Sequence, residues 1–379
     1  MNGIASPFPL IQVSSPDARR RGRMMGEAAK DRIAESVDAY QETFDRYTGL
    51  GWDRVTDLAL EFAPAIEAYS KPILEEIEGL AEGAGVSLGD LLALNARSEI
   101  MFGLSVTPPP ECTTFYAGPT ATADGHVLLG QNWDWRPRAI ESTTLFEVDQ
   151  GPEAPAFMML PEAGLVGKTG FNDRGIGVTL NALVSDLDKG ERAVPIHVIM
   201  REILNAETIE QAFGAIVRSR RGASANYTIA CAGGVGLAAE VGPGGVESVQ
   251  IMHPTDDVLG HSNHFACRND FGDVGIGRWP DSPRRIETMR RFLAARAGEL
   301  TPDSIKEVLR DSEGHPNAIC RFPDPDEHPV DQIATVASVI MDLTTREVEL
   351  AAGAPSISDY SLISPAFSSG APVAPSRDC

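Results

Sequence analysis

Three consecutive prolines, Pro108, Pro109 and Pro110, divide this chain of 379 residues into two parts of different texture. Proline has no backbone N–H and drives the residue before it out of the helical region, so neither a helix nor a central strand runs through such a stretch. Thr107-Pro108-Pro109-Pro110 is therefore an exposed, non-helical connector, the kind of segment where a chain can be cut. Upstream of it, apolar residues recur at helical spacing over 24–48 and 53–82, with a break near Gly49 and Gly51. Pro72 stands in the first turn of a further helix, and Ser87 with Asp90 forms a capping box before a helix over 91–99. Arg19-Arg20-Arg21-Gly22-Arg23 reads as a solvated helix start, with a polyanion site as the sharper alternative.

Downstream, strands and glycine turns take over. Thr113, Thr114, Phe115 and Tyr116 after Cys112 favour a strand. Asp124-Gly125 is a two-residue hairpin signal, with 126–129 as the returning strand. Folding about that turn sets Asp134, in Gly130-Gln131-Asn132-Trp133-Asp134-Trp135, opposite Phe115 and close to Cys112, with a bulge expected at Gly118-Pro119. A thiol at the first position of a strand beside a carboxylate reads as a nucleophile with its orienting group. It reads equally as a buried structural cysteine. Further strands are expected at 176–181, 227–230, 235–240, 247–251, 335–342 and 347–351, the last two joined by a hairpin. Helices fit 195–205, 207–219, 282–297 and 302–312, and the tail from about 365 to 379, rich in Pro, Ser and Ala, is expected to be loosely ordered. Hairpins followed by helix pairs imply antiparallel sheets covered by helices.

The formal charge of −22 argues against nucleic acid and anionic membrane as partners. No run of eighteen apolar residues exists to span a bilayer, and the first residues lack a secretion signal. Five cysteines without a CxxC pair read as reduced thiols of a cytoplasmic protein. The glycines over 164–175 suggest a phosphate loop, but that motif needs glycine where Glu162 stands. His261 and His264, with Cys267 or Asp270, lack a second ligand pair at zinc spacing, so no metal is expected. The order Cys112, His261, Asn317 is that of a papain-like protease, yet such a cysteine opens a helix and Cys112 enters a strand. Ala318-Ile319-Cys320-Arg321 reads as a buried thiol beside a surface arginine.

Cys112-Thr113-Thr114-Phe115, Gly130-Gln131-Asn132-Trp133-Asp134-Trp135, Gly167-Lys168-x-Gly170-x-Asn172-x-x-Gly175 and Asn263-His264-Phe265 together resemble the acyl-coenzyme A:isopenicillin N (6-aminopenicillanic acid) acyltransferase family of N-terminal nucleophile hydrolases. The stretch over 75–85, Asn95, Glu99, Ile319-Cys320-Arg321 and Thr335-Val336-Ala337-Ser338 extend the resemblance over about residues 20–360. It implies a precursor cut between Glu111 and Cys112, giving a helical α chain 1–111 and a catalytic β chain 112–379 in one composite domain. The implied fold is α+β, a four-layer αββα arrangement with two antiparallel sheets between helical layers. One departure is Glu111, where the family often has a small residue such as glycine.

Chemistry suits those residues. A free α-amine titrates at about 7.7–8.0, so it can serve as general base for its own thiol and no histidine is required. By resemblance, Asp134 holds the N-terminal amine and thiol, and Asn263 donates to the oxyanion. Gln131, Asn132, Ser224, His264 and Ser338 are expected at substrate-binding or processing positions. The expected reaction is acyl transfer through a Cys112 thioester. Water as acceptor makes the enzyme an amidohydrolase acting on a small N-acyl amine; an amine acceptor with an acyl-coenzyme A donor makes it an acyltransferase. Nothing marks a coenzyme A site, which favours the hydrolase. A non-catalytic binding protein on the same scaffold is the alternative from another class, and the joint presence of Cys112, Asp134 and Asn263 counts against it. No cofactor is expected. The partners expected are a small-molecule amide or acyl thioester and the self-derived α/β heterodimer, with further homo-oligomerisation left open.

Overall fold

The computed structural model describes residues 6–104, 106 and 112–369. The connector 107–111, and with it Glu111, lies outside them. A short strand, β1 (Leu10–Ser14), precedes seven helices: α1 (Ala18–Ala28), α2 (Lys30–Thr48), α3 (Trp52–Leu60), α4 (Ala63–Tyr69), α5 (Lys71–Ala84), α6 (Leu88–Asn95) and α7 (Arg97–Gly103). The first part is thus helical as expected, with the addition of β1. The capping box of α6 is present, Ser87 accepting from the Asp90 N–H and Asp90 from the Ser87 N–H.

Past the connector come β2 (Thr113–Ala117), β3 (Leu128–Trp135), α8 (Ala139–Ser142), β4 (Leu145–Asp149), β5 (Phe157–Met159), β6 (Gly170–Asn172) and β7 (Ile176–Ala182). Next are α9 (Ile196–Ile203), α10 (Ile209–Val217), β8 (Ala225–Cys231), β9 (Gly236–Val241), β10 (Val249–Met252) and β11 (Val258–His261). The chain closes with α11 (Gly275–Arg278), α12 (Ser282–Ala295), α13 (Pro302–Leu309), β12 (Ala334–Asp342), β13 (Glu347–Ala352) and β14 (Ser361–Ile363). One sheet has the order β1-β4-β5-β6-β7-β8-β9-β10, the other β11-β2-β3-β12-β13-β14. The sheets meet through β2 and β3 on one side and β7 and β8 on the other. Helices α9 and α10 pack on β7 and β8, whereas α12 and α13 pack on β2, β3 and β11. The layers therefore run helix, sheet, sheet, helix. Every pairing is antiparallel except β1 with β4, which is parallel.

The β2–β3 register differs from the sequence expectation. Phe115 pairs with Gly130 and Ala117 with Leu128, so Asp134 lies beyond the described end of β2 rather than opposite Phe115. The cause is the connection. Residues 118–127 form no tight two-residue hairpin: the Gly118 N–H bonds Asp257 O, the Ala121 N–H returns to Gly118 O, and Thr122 bridges to Leu300. The extra residues sit on the β2 side of Asp124-Gly125 and shift the pairing. Alternation then orders the faces. Thr114 and Tyr116 turn toward the eight-stranded sheet, where Thr114 donates to Asn181 at 3.0 Å. Phe115 packs with Met289 and Leu293 of α12.

The basic cluster is only partly solvated. Arg19 is exposed and paired with Glu78 and Glu82, but Arg21 is 4% exposed and holds the buried carboxylate of Glu76. Helices α1 and α5 touch backbone to backbone, since a Cβ on Gly79 would stand 2.0 Å from Arg19 O. Arg201 of α9 grips the same Glu76 through Nε at 2.9 Å and donates to Gln150 at 2.8 Å. One carboxylate thus ties α1 and α5 to the layer after the connector. The described part of the tail is packed as well: Phe367 meets Phe171 edge-on at 5.9 Å.

Burial pushes the Glu76 carboxyl up, but Arg201 and Arg21 outweigh it and hold it below its ordinary value. Its contribution is present above the unfolded carboxyl pKa and is lost as pH falls through the lower folded value. Glu76→Ala, which strands two buried arginines, is expected to cost about 3–5 kcal/mol in urea unfolding.

Candidate active site

Cys112 stands immediately before β2, 2% exposed, with a left-handed backbone (φ 77°) that a non-glycine residue seldom adopts. Its carbonyl oxygen accepts from Asn181 Nδ2 at 3.0 Å and Arg285 Nη1 at 3.1 Å. Gln131, on the same face of β3, directs Nε2 at Cys112 Sγ (3.5 Å) while its Oε1 accepts from the Leu180 N–H. Asn181 reaches across from β7, its own Oδ1 fixed by Thr114 and Asn226.

Arg285 joins the remaining groups. Besides Cys112 O it donates to Thr113 Oγ1 (3.0 Å), to Asn263 Oδ1 (2.9 Å) and to Asp281 Oδ2 (2.7 Å). Asp281 also takes Arg321 Nη2 at 2.7 Å. The Arg321 N–H donates to Thr335 Oγ1, and that hydroxyl donates to Asp134 Oδ1 at 2.6 Å. Cys112, Asn263 and Asp134 therefore belong to one buried hydrogen-bonded network. Arg321 is 4% exposed and ion-paired, which corrects its reading as a surface residue; Asp281 and the helix start draw it inside.

Asn263 is held at both ends of its amide, Nδ2 donating to Ala182 O at 3.0 Å. The loop that carries it is pinned by Ser282, whose hydroxyl accepts from the Asn263 N–H and meets His264 Nδ1, both at 2.8 Å. His261 is turned away from Cys112, onto Glu240 at 2.7 Å. Asn132 and Ser338 point to the outer helices. Asn132 Nδ2 donates to Leu309 O and Ile319 O, and Ser338 donates to Asn132 Oδ1. Ser224 lies in another cluster, bonded to Ser185 and Asp188. The network thus gathers Cys112, Gln131, Asn263 and Asp134, brings His264 to its rim, and leaves Asn132, Ser338 and Ser224 apart. Asn181, Asp281 and Arg285 are members that the sequence did not single out, whereas Arg321 and Thr335 stood there only within motifs of the family resemblance. For Arg285 a signal existed: it shares the i, i+4, i+8 face of α12 with Met289 and Leu293, an arginine in an apolar stripe.

Burial raises the Asp134 carboxyl to about 6, with Arg321, Arg285 and the Thr335 hydroxyl pulling it partly back. Ionised Asp134 is therefore a cost to folding that is fully present above about pH 6. The cost is relieved as pH falls toward the unfolded value of about 3.9. In a Cys112→Ala background, Asp134→Asn is expected to flatten that part of the melting temperature profile between those two values, relative to Cys112→Ala alone.

Layers and network define the class first: a four-layer α+β protein whose polar residues converge on the cysteine at the head of β2. The chain belongs to the acyl-coenzyme A:6-aminopenicillanic acid acyl-transferase family, whose profile matches residues 120–356. That family is one of acyltransferases, so the chain is an enzyme. The acyl-coenzyme A:6-aminopenicillanic-acid-acyltransferase 40 kDa form of Emericella nidulans is 28% identical over 343 residues, 89% of this chain and 91% of that one. An uncharacterized protein of Archaeoglobus fulgidus is 22% identical over 329 residues, 76% of this chain and 54% of that one. Among solved structures, the conjugated bile acid hydrolase of Clostridium perfringens aligns with a TM-score of 0.41 and 12% identity over 64% of this chain and 89% of that chain. Penicillin V acylase of Agrobacterium tumefaciens aligns with a TM-score of 0.38 and 14% identity over 64% and 82%.

Proposed function

We propose that the chain is a self-processing cysteine amidohydrolase that works through a Cys112 thioester. The observation that carries this reading is the backbone of Cys112, buried and left-handed at φ 77° while two donors fix its carbonyl. Such a conformation costs about 1–3 kcal/mol at a non-glycine residue. The φ torsion includes the carbonyl carbon of Glu111, so cutting the Glu111–Cys112 bond removes the strained torsion altogether. In the cut, Sγ adds to the Glu111 carbonyl carbon, the C–N bond breaks, and the thiol proton passes to the departing Cys112 nitrogen. Water then hydrolyses the thioester, leaving a Glu111 carboxylate, a free thiol and a free α-amine.

Turnover repeats these steps on a substrate amide. The α-amine takes the thiol proton, Sγ attacks the acyl carbon, and the proton leaves with the amine product. Asp134 steadies the amine, and Asn263 offers its Nδ2–H to the tetrahedral oxygen. Gln131 keeps Sγ in place. The family match supports a second reading, in which an amine accepts the acyl group from an acyl-coenzyme A thioester.

Denaturing electrophoresis with N-terminal sequencing is expected to show a fragment that starts at Cys112, and Cys112→Ala is expected to remain one inactive chain. An active wild-type protein that stays uncut would sink the mechanism. Asn263→Ala is expected to lose about 100- to 1000-fold in kcat with little change in KM. Asp134→Asn is expected to impair cutting as well as turnover. A panel of N-acyl amines and acyl thioesters separates the two readings: reaction of thioesters alone, and only when an amine is supplied, makes the enzyme an acyltransferase.

A further inference from the structure

The loop that carries Asn263 runs from His261, the last residue of β11, to Cys267. Side chains from outside the loop take up its backbone N–H groups. Ser282 accepts that of Asn263 and Asp273 that of Phe265, both at 2.8 Å. Glu240 of β9 accepts that of Ala266 at 2.6 Å and that of Cys267 at 3.0 Å. Glu240 differs from the other two anchors because it also bonds the residue where the loop begins. Its Oε1 lies 2.7 Å from His261 Nε2, so one carboxylate holds the loop on both sides of Asn263.

The Glu240 and His261 side chains are fully buried, and they join the two sheets, since β9 belongs to the eight-stranded sheet and β11 to the six-stranded one. Both ring nitrogens of His261 face oxygen acceptors, Nδ1 the Ser262 carbonyl at 2.8 Å and Nε2 the carboxylate. A ring that donates from both nitrogens satisfies them and sets a cation against the carboxylate. Burial pushes the Glu240 carboxyl up, but His261 and the Ala266 and Cys267 N–H groups outweigh it and hold it below its ordinary value. A buried polar group matched in this way rigidifies what it bonds. Arg285 and the Ala182 carbonyl orient the Asn263 amide, but the loop decides where its backbone stands. A catalytic donor has to be held within about 0.5 Å of its working position, which makes the anchoring of the loop matter to the reaction.

We propose that Glu240 is a positioning residue for Asn263, acting through His261 and the N–H groups of Ala266 and Cys267. The inference rests on the oxyanion role proposed for Asn263 and adds to it a residue of the opposite sheet.

The test compares wild type, Glu240→Gln, Glu240→Asp, Asn263→Ala and the two Glu240 changes combined with Asn263→Ala. Each protein is checked for cutting by mass, and iodoacetamide labelling with peptide mapping counts reactive Cys112, so that kcat is expressed per site. Cys267 is a slow competitor for the label, because burial, with Glu240 adding to it, pushes its thiol up to about 12. Glu240→Gln turns an amide N–H group toward the loop's donors and is expected to lose about tenfold or more in kcat per site, with KM little changed. Glu240→Asp keeps His261 matched but is too short to hold both sides of the loop, and is expected to lose about fivefold. It carries the same comparison should Glu240→Gln yield no folded chain. In the Asn263→Ala background either change is expected to alter kcat less than about twofold, because the amide it positions is gone. A merely structural role would lower the number of reactive sites and would multiply with Asn263→Ala. Wild-type kcat per site in Glu240→Asp or Glu240→Gln, or an undiminished loss in the Asn263→Ala background, overturns the proposal and leaves the role of Asn263 standing. Wild-type turnover in Asn263→Ala overturns that role, and this proposal with it.

Discussion

The candidate site depends on the Arg285 guanidinium. A buried cation must be matched on most of its donors, and Arg285 meets that demand with the Cys112 carbonyl, the Thr113 hydroxyl, the Asn263 amide oxygen and Asp281. The four partners come from three local structures: the head of β2, the loop after β11, and the start of α12. Their relative positions are therefore set by one rigid, planar group rather than by three independent loops. The amide of Asn263 shows the effect most directly. With Oδ1 on Arg285, its Nδ2 is forced to the opposite side, toward the Ala182 carbonyl. Lysine at 285 would supply charge without that geometry.

A second buried ionic cluster does comparable work at a distance. Glu76 receives Arg21 from α1 and Arg201 from α9, while β1 adds itself in parallel to β4. The two parts of the chain on either side of the connector share a sheet, a charge cluster and a close backbone contact between Gly103 and Gly190. On the proposed reading, a cut before Cys112 leaves all three in place. The covalent link is then dispensable for the fold, and the connector is free to serve as a cleavage site.

How much of this could be read beforehand follows from the range of each interaction. The helical first part, the strands over 170–182, the helix pairs and the last hairpin are set by local periodicity and turn residues, and they stand where expected. Strand β1 was missed because Leu10–Ser14 is a short edge whose partner, β4, lies 135 residues away. The β2–β3 register failed for a related reason: its connection is shaped by Asp257 and Leu300, which no local pattern announces. Cys112 and Gln131 do lie together. Asp134 joins them only through Thr335, Arg321, Asp281 and Arg285, not through the expected cross-strand pair. Arg284 and Arg285 look alike in sequence, and only the phase of α12 buries one of them. Arg321 could not be placed at all without Asp281, since a single arginine after Cys320 has no periodic context.

The electrostatics of Asp134 give the network a direction. Burial lifts its carboxyl to about 6 although two arginines lie near. Arg321 and Arg285 pull it partly back although both are ion-paired with Asp281, and among the described residues the direct hydrogen bond to Asp134 comes from the neutral Thr335 hydroxyl. The continuous chain thus carries a carboxylate whose desolvation outweighs the arginines near it. On the proposed reading, cleavage before Cys112 creates an amine whose protonated form adds a cation to this network, where Asp134 steadies it. The amine holds its proton more readily beside a carboxylate, and the carboxylate loses its own more readily beside an ammonium. Each group therefore shifts the other toward ionisation, and the pair titrates as a unit rather than as two residues.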